Sequence, residues 1–213
     1  MYGIARSAPG PYDLAVPART FTFVRHGQTA WNAASRLNGD PTTFVPLTEL
    51  GRQQALARRR ELAGARFDLA IHTRFVRTRQ TLELLFGRHA PRLRVLPAFD
   101  DVRVGAFEGA PVDEYRAWRR INGPAMPAPG GGEARLDALR RYALGVDILL
   151  ASDAERVFAC VHDQTIRFLA NAVLGADPIA GPVRSIANCE RRDFTRRELL
   201  AARAVIARRL GAG

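Results

Sequence analysis

The stretch Thr20-Phe21-Thr22-Phe23-Val24-Arg25-His26-Gly27-Gln28-Thr29-Ala30-Trp31-Asn32 decides how this chain is read. Its opening residues are β-branched or aromatic, and the run stops abruptly at Arg25-His26-Gly27. Such a run reads as a buried strand, and the break after it as a functional loop. Outward from it the elements alternate. Leu47 to Leu62 has a helical pattern, Phe67 to Ile71 reads as a strand, and Leu93 to Leu96 as another. Arg74 to Phe86 reads as a helix with Phe75, Thr78, Leu82 and Leu85 on one face. This is the strand-helix-strand rhythm of a parallel sheet.

Further along, Leu136, Leu139, Ala143, Val146 and Leu150 recur at spacings of three and four, so Ala134 to Leu150 is expected to pack a helix on the sheet. Arg156 to Val161 reads as a strand ending at His162. A helix is expected over Gln164 to Leu174, with Ile166, Leu169, Ala170, Val173 and Leu174 turned inward. Thr195-Arg196-Arg197-Glu198 has capping-box spacing, and Leu199, Ala202, Ile206 and Leu210 form the face of a closing helix. A short helical piece around Tyr115 to Arg120 precedes a loop carrying Pro124, Pro127, Pro129 and several glycines, which reads as a cap at about 110–132. The expectation is an α/β three-layer sandwich with a mainly parallel sheet and a small cap insertion. One domain spans 20–213 behind a proline-bearing arm at 1–19.

The chain has 213 residues, a length that fits one core. It is 47% hydrophobic and 25% charged, which excludes global disorder. Met1 to Thr20 lacks the apolar segment of a signal peptide, and no apolar run is long enough to span a bilayer. Cys160 and Cys189 stand far apart without metal-ligand spacing. A cytoplasmic protein with no membrane association is therefore expected. The net charge of +11 favours anionic partners. Every basic residue is arginine, however, and the arginine clusters at 58–60 and 191–192 have no interleaved aromatics for base stacking. That uniformity reads as the codon bias of a GC-rich genome, with solvated faces and no nucleic-acid partner.

His26 and His162 both fall at carboxyl ends of expected strands, where open α/β sheets bind ligands. Arg25 beside the first and Arg77 at the start of a helix would supply fixed positive charge for phosphoryl oxygens. The set suits phosphoryl transfer in which an imidazole attacks phosphorus and guanidinium groups hold the spreading charge. A carboxylic acid must then protonate the leaving oxygen. Metal hydrolysis through His26, His72, His162 and the aspartates is an alternative whose ligand spacing is not diagnostic.

The run from Phe23 to Asn32 resembles the signature of the histidine phosphatase superfamily, which includes cofactor-dependent phosphoglycerate mutases. Matches follow in order at Arg36 with Gly39, Pro46 to Gly51, Arg77 within Arg74 to Thr81, Gly105 to Gly109, Gly130 to Glu133 and His162 to Arg167. The resemblance covers about residues 20 to 190 and implies a phosphoglycerate mutase-like fold. It implies that His26 becomes phosphohistidine and that Arg25, Asn32, Arg77 and His162 bind the phosphoryl group, with His162 also stabilising the transition state; the residue set suits transfer without a metal, and no cofactor is expected.

Two departures bear on the acid. Four residues before Gly105, where the family usually has glutamate, stands Asp101, one methylene shorter. After the second histidine, where glycine is usual, stands Asp163. It reads either as an N-cap or as the donor used by the acid-phosphatase branch. Asp101 is preferred. His72 replaces a family serine and reads as structural, His89 as solvated, Cys160 as a small buried hydrophobe, and Trp31 and Phe107 as packing groups. The expected activity is hydrolysis of a small phosphorylated metabolite, a phosphomonoester. The alternatives are a phosphoglycerate mutase-type phosphotransferase, disfavoured by the short cap, and a catalytically degenerate phosphate-binding domain.

Overall fold

Alternation along the central strands builds the layers. A computed structural model describes residues 19–211, so the arm read at 1–19 lies, but for Arg19, outside the described residues. In β1 (Thr20–Arg25), Phe21 and Phe23 join one buried cluster and Val24 another. In β4 (Arg156–Val161), Val157, Ala159 and Val161 join the first while Phe158 and Cys160 join the second. Successive side chains of a strand point to opposite faces, so both faces of this sheet are covered.

With β2 (Leu69–His72), β3 (Arg92–Val95) and β5 (Arg191–Thr195) the sheet has the order β3-β2-β4-β1-β5. The described pairings are parallel except that of β5, which runs antiparallel to β1. The expected mainly parallel three-layer architecture is therefore present.

The short α1 (Ala30–Ala33) follows the loop after β1. One face of the sheet is covered from α2 (Glu49–Glu61), whose chain continues into buried Leu62, and from α3 (Val76–Phe86), through Leu82 and Leu85. The other carries α5 (Arg135–Ala151), α6 (Asp163–Val173) and α7 (Arg196–Gly211). The stripe Leu136, Leu139, Ala143, Val146 and Leu150 is buried as expected. Burying each such side chain stabilises the fold by about 1.5–3 kcal/mol.

Leu174 departs from the expected inward face and is 65% exposed. The helix ends at Val173, and Gly175 at φ +73° turns the chain away, so Leu174 no longer follows the buried stripe. The capping box expected at α7 is made reciprocally. The Glu198 N–H donates to Thr195 Oγ1 at 3.2 Å and the Thr195 N–H to Glu198 Oε2 at 2.7 Å.

The cap is α4 (Val112–Asn122), a longer helix than the expected piece, and the loop returning to α5. Buried Arg119 clasps it: Nε donates to Tyr115 Oη at 2.9 Å, while the two terminal nitrogens donate to the carbonyls of Gly123 and Glu133 at 3.2 and 2.9 Å. Phe107, Tyr115 and Trp118 pack together beneath it.

Candidate active site

The parallel register of β1 and β4 creates the site. Arg25 stands opposite Val161, so His26 and His162 leave adjacent strand ends side by side. Their ring centroids lie 5.4 Å apart. The His26 N–H still donates to the Val161 carbonyl at 3.0 Å, extending the ladder one step into the loop.

Close backbone approach then holds that loop. A Cβ on Gly27 would lie 2.5 Å from the Gly51 carbonyl oxygen, and one on Gly51 would lie 2.1 Å from that of Gln28. Only glycine lets the first turn of α2 sit against the loop after β1.

His26 is 2% exposed, and its Nδ1 lies 2.8 Å from the Gly27 carbonyl. A carbonyl only accepts, so Nδ1 carries the proton and Nε2 keeps its lone pair. Burial, then the positive charges of Arg77 and Arg25, hold its pKa well below 6.5, and the ring stays neutral at physiological pH.

His162 is fully buried. Its Nε2 donates to Thr73 Oγ1 at 2.9 Å, and Thr73 lies 3.0 Å from Thr78 Oγ1, which donates to the Phe75 carbonyl at 2.8 Å. That chain leaves Nδ1 as the acceptor facing Arg77 at 3.1 Å. Burial first, then Arg77, lowers its pKa well below the ordinary value too.

Arg77, in the first turn of α3, joins the parts. Its Nε lies 3.0 Å from His26 Nε2. One terminal nitrogen donates to His162 Nδ1, to Asp101 Oδ2 and to the Asn38 carbonyl, each at 3.1 Å, and the other donates to Asn38 Oδ1. Its ring partner is Phe75, whose centroid lies 4.1 Å from the guanidinium carbon. Burial lowers its pKa to about 10, which leaves it charged at neutral pH.

Asp101 reaches this cluster despite its shorter side chain, with Oδ2 3.5 Å from His162 Nδ1. Burial raises its pKa above 3.8, outweighing the opposing pull of Arg77, and the Asp163 carboxylate pushes the same way. Asp163 is not the N-cap considered from sequence. His162 holds that position, and Asp163 is the first helical residue. Its Oδ1 accepts the Ile186 N–H at 2.7 Å and its Oδ2 accepts from Arg167 at 3.2 Å.

Arg25 donates to the Ile186 carbonyl at 2.6 Å, while its buried Nε has no partner. The Asn32 amide oxygen accepts the Thr29 N–H at 3.1 Å. All seven residues named from the sequence, His26, Asp101, His162, Asp163, Arg25, Asn32 and Arg77, are thus brought to one end of the sheet. Six of them, with buried His162 directly behind, line a cavity of about 240 Å³.

Other residues fall outside it. His72 bonds its own neighbour, Nδ1 lying 2.7 Å from the Thr73 carbonyl, and His89 is exposed. Cys160 is fully buried, with its thiol pKa pushed up by burial. Arg74 is tied to Asp100 at 2.6 Å. Among the described residues no group of three or more His, Cys, Asp or Glu side chains is suited to hold a metal ion, and no helix is long and apolar enough to cross a membrane.

Sequence reasoning passed over Asn38, Thr73 and Asn188, whose Nδ2 donates to the His26 carbonyl at 3.0 Å. Asn38 lies inside the matched segment from Arg36 to Gly39 and was within reach of the motif. Nothing local marks the other two.

Fold and site together define a phosphoglycerate mutase-like α/β protein. The sequence model of the histidine phosphatase superfamily (branch 1) matches residues 21–198, and the chain belongs to that superfamily. A curated relative, "Probable phosphoglycerate mutase GpmB" of Yersinia pestis (strain Pestoides F), is 28% identical over 174 residues, covering 78% of this chain and 80% of the relative. Among solved structures, mycobacterial glucosyl-3-phosphoglycerate phosphatase complexed with VO3 superposes with a TM-score of 0.68 at 27% identity, covering 83% of this chain and 92% of that one. The alpha-ribazole phosphatase of Shigella flexneri shares the fold with a TM-score of 0.72 at 18% identity, covering 82% and 89%.

Proposed function

We propose that the protein is a phosphatase that hydrolyses small phosphomonoesters through a phosphohistidine at His26. The observation that carries this reading is the state of His26: a buried, neutral imidazole with its lone pair on Nε2, inside a cluster that holds Arg77 and a carboxyl of raised pKa.

An incoming phosphoryl group takes the Arg77 donors and frees Nε2. The lone pair forms the N–P bond as the bond from phosphorus to the leaving oxygen breaks, and protonated Asp101 gives its proton to that oxygen. Arg25, Asn32 and Arg77 hold the equatorial oxygens, where preorganised donors stabilise charge most effectively; His162, whose Nδ1 is an acceptor, positions the Arg77 guanidinium instead of donating to the phosphoryl group as the resemblance implies. Water then attacks phosphorus while the Asp101 carboxylate takes its proton, and inorganic phosphate leaves with the His26 lone pair restored.

Asp101 is the better acid because it reaches the Arg77–His162 cluster, at 3.1 and 3.5 Å, and burial raises its pKa, whereas the carboxylate of Asp163 is bonded to the Ile186 N–H and to Arg167. Hydrolysis is favoured over phosphoryl return to a bound acceptor because Arg36, Arg116, Arg184 and Ser185 of the cavity wall are exposed, which leaves water a route in.

The test is acid quenching during turnover of a ³²P-labelled phosphomonoester. A label on the protein that is acid-labile and base-stable, and absent from His26→Ala, supports the reading. Phosphate release without such a label, or unchanged turnover by His26→Ala, overturns it.

A further inference from the structure

The loop that carries Asp101 is seated on α5. Fully buried Phe99 lies edge-on to Phe23 of β1, with ring centroids 5.7 Å apart. A Cβ on Gly145 of α5 would lie 2.4 Å from the Phe99 ring, so glycine is what lets that ring settle against the helix. One turn earlier on α5, the Arg141 guanidinium takes up carbonyls of the same loop. One terminal nitrogen donates to those of Pro97, Ala98 and Asp100 at 3.4, 3.1 and 2.8 Å, and the other to that of Asp101 at 3.2 Å. A cation satisfies carbonyls well where a short helical turn runs out, as the 3₁₀ turn Pro97–Phe99 does here.

Glu133 locks that guanidinium in place. It is 4% exposed, and its Oε1 accepts from the Arg141 nitrogen that also reaches the Asp101 carbonyl. The same oxygen accepts the Arg103 N–H at 3.1 Å, while the Glu133 N–H donates to the Arg103 carbonyl at 2.9 Å. Backbone on both sides of Asp101 is thus tied to one ion pair. Arg74 holds Asp100 as well, donating from its backbone N–H at 3.0 Å and from Nε at 2.6 Å. An aspartate has a single methylene between backbone and carboxyl, so its reach follows the position of its Cα. The loop is held at the depth where Asp101 Oδ2 accepts from Arg77 at 3.1 Å and lies 3.5 Å from His162 Nδ1.

We propose that Arg141, held by Glu133, is a positioning residue that sets how far the Asp101 carboxyl reaches into the Arg77–His162 cluster, so that proton donation to the leaving oxygen depends on a guanidinium outside the cavity lining. This role rests on the proposed assignment of Asp101 as the acid. Without the clasp the loop relaxes away from the cluster, and the short side chain cannot follow. A glutamate, one methylene longer, makes up for that retreat. In the clasped loop the same glutamate overfills its space and misplaces the carboxyl.

Turnover of glycerol 2-phosphate, whose alkoxide needs a proton to leave, is compared with that of 4-nitrophenyl phosphate on the wild type, Arg141→Met, Asp101→Glu and the double variant. Arg141→Met should lower kcat for glycerol 2-phosphate about 10- to 10²-fold with little change in KM, and should slow 4-nitrophenyl phosphate much less. Asp101→Glu alone should slow glycerol 2-phosphate, yet the double variant should turn it over faster than Arg141→Met does. General damage to the fold does not produce that reversal. Glu133→Gln, which keeps an acceptor but not the ion pair, should show the same leaving-group split in smaller degree; combined with Asp101→Glu it carries the test if Arg141→Met does not fold. Equal losses on both substrates, no loss on either, or a double variant no faster than the clasp variant overturns the positioning role. If Asp101→Asn leaves glycerol 2-phosphate turnover unchanged, the assignment of the acid fails and the positioning role with it.

Discussion

Arg77 Nε lies 3.0 Å from His26 Nε2, so the guanidinium rests on the very atom that carries the lone pair. The same side chain touches His162 and Asp101, so one group contacts the nucleophile, the second histidine and the proposed acid. Arg77→Ala is expected to lower kcat by about 10²- to 10³-fold, the usual effect of deleting a preorganised donor. KM should change far less. Arg77→Lys should not restore the rate, because a point charge cannot bridge three partners. Steady-state kinetics on the two variants check this, and a change confined to KM would contradict it.

The pKa directions set a pH profile. His26 must be neutral, and its pKa is held well below 6.5; Asp101 must be protonated, and its pKa is raised above 3.8. Activity on alkyl phosphates should therefore rise through the first value and fall through the second, placing the optimum on the acid side of neutrality. Asp101→Asn should remove the alkaline limb and slow alkyl phosphates by about 10²- to 10⁴-fold. 4-Nitrophenyl phosphate, whose leaving group needs no proton, should lose much less. If Asp163→Asn shows that leaving-group dependence instead, the donor has been misassigned.

The two strand-end histidines and Arg77 were legible because a parallel sheet gathers strand ends, and a buried run that stops at a polar loop reveals such an end. Element ends were less so. The helix expected from Arg74 starts at Val76, since Arg74 is drawn off to Asp100. What sequence did not reveal is long-range pairing. Asn188 reaches His26 because β5 pairs with β1, and Thr73 orients His162 because β2 pairs with β4, and no local pattern encodes either. Asp163 shows the same limit: its type suited a cap, but contact with Ile186 and Arg167 decides what its carboxylate does.

Burial of two neutral histidines makes stability pH-dependent. Below about pH 6.5 the unfolded chain takes up protons at His26 and His162 that the folded chain resists, so their contribution is present above that value and is lost as pH falls. Asp101, with its raised pKa, acts in the opposite sense, favouring the folded state at low pH and less as pH rises. The two larger shifts should dominate. Calorimetric melting between pH 7.5 and 5 should show a falling Tm, less steep in His26→Gln. A flat Tm would mean that these rings protonate freely in the fold.

Arg119 tests the cap separately from the chemistry. It is 5% exposed and supplies donors to Tyr115 and to carbonyls at both ends of the Pro/Gly loop. Arg119→Met fills much of the space but leaves those acceptors buried without partners, a loss of about 1–3 kcal/mol for each one not rescued by water. Denaturant unfolding should show the loss. Because Tyr115 and Arg135 line the cavity from the cap side, KM should rise while the phosphohistidine label still forms.

Gly51→Ala should damage the site from a residue that makes no contact with substrate in the proposed chemistry. The added Cβ would lie 2.1 Å from the Gln28 carbonyl oxygen and 2.8 Å from the Gln28 nitrogen, contacts with backbone that no side-chain rotation relieves. Either α2 moves away from the loop or the loop moves toward His26. Because Gln28 is tied to the α2 segment, its N–H donating to Gln54 Oε1 and its carbonyl accepting the Thr48 N–H, a shift of α2 also drags the loop that carries His26. A displacement of about 1 Å at a nucleophile costs about 10²-fold in rate. The variant is therefore expected to lose activity out of proportion to any loss of Tm. Unchanged kcat in a folded Gly51→Ala would show that the packing of α2 on this loop does not position His26.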